Sequence, residues 1–116
     1  MKILLYQIPF HKGAAVLKGA KEIGAEVVYL KSEDLHSSIE FLMDENKNKH
    51  PGKDSHETVG ELMIFGGLSD KDLDKFLAGY HSTNAPAVAA KAMVTPVNQK
   101  WSPAYLYAQL LNEMKQ

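Results

Sequence analysis

Four short apolar runs divide the chain at near-regular intervals: ILLY (Ile3 to Tyr6), VVYL (Val27 to Leu30), LMIF (Leu62 to Phe65) and VAAKAMV (Val88 to Val94). Runs of this length, separated by segments of different periodicity, are expected to be strands. The first three are continuously apolar, as in parallel strands covered on both faces, whereas Lys91 interrupts the fourth and suggests an edge or a site. Between the runs the spacing turns helical. Val16, Leu17, Ala20 and Ile23 share one face ahead of Gly24, which stands where a left-handed cap is expected. Leu35, Ile39, Leu42 and Met43 mark a second helix, and Leu73, Phe76, Leu77 and Tyr80 a third. Leu106, Leu110, Leu111 and Met114 mark a fourth, behind Ser102 as N-cap and Pro103 at the first helical position.

The order βαβαβαβα repeats one βαβα plan twice, with little residue identity between the copies. The expected fold is therefore one α/β domain over residues 1–116, with halves 1–45 and 59–116 joined by a polar loop, 46–58. Right-handed crossovers make strands 1 and 2 parallel, and likewise strands 3 and 4. Packing about a pseudo-twofold gives a mainly parallel four-stranded sheet in the order 2-1-3-4, with helices on both faces. That order places a topological switch point between strands 1 and 3, where open α/β sheets bind ligands. A sheet containing one antiparallel pair is the alternative, because the segment Asp44 to Thr58 is long enough to reverse direction.

Composition narrows the functional classes. Thirteen basic and 14 acidic residues give a net charge of −1, and no overall field recruits nucleic acid or an anionic membrane. The absence of cysteine excludes disulfides, thiolate metal sites and a cysteine nucleophile. Gln7 and Pro9 interrupt the N-terminal apolar run before it reaches the length of a signal peptide, and no run approaches that of a spanning helix. A cytoplasmic protein is expected.

The turn Gly66–Gly67 follows strand 3 and precedes a helix, as phosphate-binding turns do. Asp70, Asp72 and Asp74 in the helix that follows would repel a phosphate, and Ser69 with Asp72 reads as a variant capping box. The turn is thus expected to initiate the helix, or to line a pocket for a cation or neutral ligand. In the long loop, His50, Asp54, His56 and Glu57 carry ligand atoms that suit zinc or nickel, with His50 and His56 the metal candidates, but H-x5-H matches no zinc template and a flexible loop does not preorganise a site, so no metal and no cofactor is expected. Lys47, Lys49, His50 and Lys53 form a basic patch without interleaved aromatics, read as solvated. His36 and His81 read as surface residues, and His11, at the end of strand 1, faces the proposed switch point.

The stretch KAMVTPVNQKWSP (Lys91 to Pro103) admits two readings. In one, Thr95 and Asn98 bond the turn backbone and Trp101 packs the turn on the core. In the other, Lys91, Thr95, Asn98 and Trp101 rim a ligand pocket together with Gly66 and Gly67. The pattern KAxxTPxNxxW, matched by Lys91, Ala92, Thr95, Pro96, Asn98 and Trp101, resembles a small bacterial family catalogued as domain of unknown function 3783. Leu73, Asp74, Phe76 and Leu77 match the same family's xxxLDxFL helix. The resemblance covers the latter half of the chain and implies a bacterial cytoplasmic α/β protein, without implying an activity.

The reading favoured by these residues is a non-enzymatic module that binds a small ligand or a protein partner, with a homodimer as one form of it. The alternative is a small enzyme in which His11 and Lys91 converge at the carboxyl ends of the strands, with a desolvated Lys91 polarising or attacking a carbonyl.

Overall fold

The computed structural model describes residues 1–114. Its strands are β1 (Lys2–Tyr6), β2 (Glu26–Tyr29), β3 (Leu62–Gly66) and β4 (Ala90–Met93). Its helices are α1 (Phe10–Ile23), α2 (Ile39–Met43), α3 (Asp70–His81) and α4 (Pro103–Met114), with short 3-10 turns at Ser32–His36 and Asn98–Lys100. The four strands form one sheet in the order β2-β1-β3-β4. β1 pairs parallel with β2 and β3 parallel with β4, as right-handed crossovers require.

The central pair, β1 and β3, is antiparallel, with Lys2 opposite Gly66 and Tyr6 opposite Leu62. The sheet is therefore mixed, and the long loop between the halves is what allows the reversal. The reversal removes the switch point expected between strands 1 and 3. The carboxyl end of β1 lies beside the amino end of β3, so the turns that follow these two strands leave from opposite edges of the sheet.

Alternation along the strands divides the core into two layers. Ile3, Leu5, Met63 and Phe65 face one side and pack with Val16, Ala20 and Phe76 of α1 and α3. Leu4, Leu62 and Ile64 face the other side, with Ile39 of α2 and Ala104 and Leu106 of α4. On the first side, α1 and α3 cross closely because glycines meet there. A Cβ on Gly19 would lie 2.7 Å from both the ring and the carbonyl oxygen of Phe76, and one on Gly79 would lie 3.0 Å from the Cα of Gly19.

Helix ends follow the local signals. Gly24 closes α1 at φ 68°, its N–H bonding to the Ala20 and Lys21 carbonyls. Ser69 and Asp72 form a reciprocal capping box on α3, and Ser102 Oγ accepts from Tyr105 N–H at the head of α4, with Pro103 first in that helix. The second helix departs from expectation, since Leu35 lies in the 3-10 turn and α2 begins only at Ile39. The break at Ser37–Ser38 has a tertiary cause. Ser37 bridges to Pro51, and Ser38 N–H donates to the His50 carbonyl, so the long loop takes over bonds that a continuous helix would need.

Candidate functional site

The loop 46–58 is folded down onto the layer of α2 and α4. Lys53 N–H donates to the Lys100 carbonyl, and Ser102 N–H donates to the Lys53 carbonyl. Gly52 lies so close that a Cβ there would overlap the backbone of Trp101 and Ser102, a fit only glycine permits. Trp101 is half-buried, its ring edge-to-face with Tyr105 at 4.9 Å and its carbonyl accepting from Ile39 N–H. One short segment, Trp101–Ser102, thus touches the long loop, α2 and α4 together.

Two polar clusters sit along this docking line. In the first, the buried Glu40 carboxylate accepts from His50 Nε2 at 2.7 Å and from Lys100 Nζ at 3.0 Å. The His50 Nδ1 faces the Pro51 carbonyl at 3.0 Å, so both ring nitrogens meet acceptors, an arrangement that favours the imidazolium. The Glu40 hydrogen bond, then the Pro51 one, raises the His50 pKa above its ordinary value. His50 and then Lys100 hold Glu40 below the usual carboxylate range.

In the second cluster, His36 Nδ1 lies 2.8 and 2.9 Å from the two oxygens of Asp54, and Ser102 Oγ donates to Asp54 Oδ1 at 2.7 Å. Burial pushes the Asp54 carboxyl up, but hydrogen bonds from Ser102, His36 and the Ser55 N–H outweigh it and leave the pKa lowered. The His56 ring stands 5.7 Å from the His36 ring. The metal-ligating atoms of His36, Asp54 and His56 all lie within 4.8 Å of one another. Of the loop residues that carry ligand atoms, Asp54 and His56 enter this cluster and His50 does not; the third member is His36, from outside the loop, which no spacing rule announces.

The residues of the expected ligand rim are distributed over several surroundings. Asn98 is buried and engaged in its own turn: Oδ1 accepts from Thr95 N–H, Nδ2 donates to the Met93 carbonyl, and Thr95 Oγ1 accepts from Asn98 N–H. Gly66 is held under the Met43 side chain, where a Cβ would come 2.5 Å from the sulfur, and Gly67, at φ 78°, lies against Met1. Lys91, opposite Met63, lies on the α3 side of the sheet. It lines two small apolar cavities of about 140 and 220 Å³, among Phe76, Leu77 and Tyr80 in one and Phe65, Leu73 and Met93 in the other.

His11 lies in the first turn of α1, exposed, at the carboxyl edge of β1. It is not among the residues lining either Lys91 cavity. Near it, Glu61 Oε1 accepts from Lys12 Nζ at 2.8 Å and from Ala89 N–H at 3.1 Å, tying α1 to the lead-in of β4. The Lys12 bond, opposed by burial and aided by the Ala89 N–H, lowers the Glu61 pKa.

An apolar surface that the sequence did not single out occupies the outer side of α1. Phe10 is 93% exposed, Tyr29 57% and Leu17 50%, around a depression of about 490 Å³ that also includes Ile8, Gly13 and Ala14. Leu17, expected on the core face with Val16, is half-exposed and instead aligns with Phe10, Gly13 and Ala14 at the i, i+3, i+4, i+7 spacing of the outer face.

Among the described residues, no helix is long and apolar enough to cross a membrane. Residues 61–116 match a family described as "Domain of unknown function (DUF3783)". No curated protein and no solved structure matches the chain.

Proposed function

We propose, for a chain whose residues 61–116 belong to this domain family, a non-enzymatic protein-binding role in which the partner is a second copy of the chain, seated on α1 and the free edge of β2. The observation that carries this reading is Phe10, a phenylalanine 93% exposed on a regular helix, with Leu17 and Tyr29 half-exposed beside it. Contiguous apolar surface of this kind marks interaction sites, and aromatic side chains dominate the energetics of such contacts.

A second copy suits the surface for two reasons. A projecting ring beside a depression floored by Gly13 and Ala14 is self-complementary, so that each Phe10 can enter the depression of the other copy. The molecule also packs its own halves in the required manner, with β1 and β3 antiparallel and α1 beside α3 on one face. A twofold at β2 would repeat that relation, extending the sheet and placing α1 beside its counterpart.

Sedimentation across a concentration series tests the reading. The wild-type chain is expected to dimerise and the Phe10→Ser, Leu17→Ser double variant to remain monomeric with an unchanged circular dichroism spectrum. A wild-type chain that stays monomeric at high micromolar concentration would overturn it.

A second reading, a small-molecule site, is favoured by Lys91, a cationic residue among the lining of two apolar cavities. The ligand this chemistry suits is an amphipathic anion. A thermal-shift screen of apolar carboxylates and phosphates checks it: a shift that Lys91→Ala abolishes would establish the site, and no shift from any of them would remove it.

A further inference from the structure

We propose that His36, Asp54 and His56 form a binding site for one divalent transition-metal ion of the zinc type. The site is built from parts far apart in sequence: His36 closes the first 3-10 turn, and Asp54 and His56 come from the long loop. It lies away from the α1 surface, and the two proposals stand or fall separately.

Three features of the geometry support the site. The first is proximity, since ligand atoms on three residues lie within 4.8 Å of one another. Zinc bonds of about 2.0 to 2.2 Å set tetrahedral ligand atoms roughly 3.3 Å apart, so the cluster needs a closure of about an ångström and a half. His56 can supply it by rotation, because its ring is exposed. The second feature is aim. His36 Nδ1 points at both Asp54 oxygens, at 2.8 and 2.9 Å, and a cation would replace the shared proton as this pair opens by about half an ångström to admit it. The third is support behind the carboxylate. Ser102, wholly buried, donates to Asp54 Oδ1 at 2.7 Å and fixes its orientation, as the outer partners of metal-ligating carboxylates do.

The donor set selects the metal. Two imidazole nitrogens and one carboxylate oxygen suit zinc and its neighbours, whereas calcium and magnesium take oxygen ligands. Three protein ligands leave a fourth position to water or an external ligand, which is the pattern of open zinc sites. A bound ion would also join the 3-10 turn to the long loop and, through Ser102, to α4.

Calorimetric titration of the chelator-treated chain with zinc chloride tests the proposal, alongside thermal melts. His56→Ala is the decisive variant, since His56 makes no hydrogen bond that the fold uses among the described residues; His81→Ala, on α3, is the control. The expected result is one zinc per chain and a raised melting temperature for wild type and His81→Ala, with affinity reduced at least about tenfold in His56→Ala and in His36→Ala. Absence of binding, binding of several ions per chain, or an affinity unchanged in His56→Ala would each overturn it, the last two showing an adventitious ion only.

Discussion

Ser102 Oγ donates to Asp54 Oδ1 at 2.7 Å across 48 positions of sequence, while the same oxygen caps α4 by accepting from Tyr105 N–H at 3.1 Å. One buried hydroxyl thus starts a helix and holds down the loop that connects the two halves. Ser102→Ala removes both bonds and is expected to cost about 1 to 3 kcal/mol in urea denaturation. Limited proteolysis separates the two roles: cleavage within residues 46–58 should accelerate in the variant. An unchanged cleavage rate would show that the loop is held without the hydroxyl.

The α1–α3 crossing depends on the missing side chain of Gly19. A methyl group there must displace the Phe76 ring and its backbone carbonyl, both 2.7 Å away. Gly19→Ala gains helix propensity yet is expected to lose about 1 to 3 kcal/mol net, because backbone must move to admit it. Equilibrium denaturation checks this, and a stabilised variant would contradict the close crossing.

Asn98 gives the turn after β4 its shape. Asn98→Ala leaves Thr95 N–H and the Met93 carbonyl without their partners, at an expected loss of about 2 kcal/mol. Asn98→Asp keeps the acceptor for Thr95 N–H but loses the donor to Met93, and should fall between wild type and alanine. Denaturation midpoints of the three proteins measure the order.

The His50–Glu40 pair makes stability depend on pH with a definite sign. His50 has a folded pKa raised above 6.5, so its contribution is complete below that value and is lost as pH rises through the folded pKa. Glu40 has a folded pKa lowered below 4.5, so its contribution is complete above that value and is lost as pH falls through the folded pKa. The advantage of wild type over His50→Gln should therefore be greatest between the two ordinary values and shrink toward alkaline pH. Melting temperatures of both proteins across that range provide the measurement, and a difference that grows with pH would contradict the assignment of His50 as the imidazolium.

Local chemistry accounts for what could be read from the chain alone. Short apolar runs identified four strands, Gly24, Ser69 and Ser102 marked helix ends, and two βαβ crossovers made β1 parallel to β2 and β3 parallel to β4, because each of these depends on residues close in sequence; the order β2-β1-β3-β4 followed only with the added premise of a pseudo-twofold. The same proximity explains why a turn bonded by Thr95 and Asn98 was one of the two readings open from their spacing.

Tertiary structure decided the rest. The direction of β3 relative to β1 depends on how a 15-residue polar segment, Asp44 to Thr58, returns to the sheet, and no periodicity in that segment encodes its path. That reversal moved His11 and the Gly66–Gly67 turn to opposite edges. The pairing of Ser37 and Ser38 with Pro51 and His50 broke the second helix, and the docking of Gly52 and Lys53 on Trp101 and Ser102 carried Asp54 and His56 to His36, residues whose spacing matches no ligand template. Sequence determines the elements through short-range forces; the meeting of distant polar side chains follows from packing, in which every contact depends on where all the others have settled.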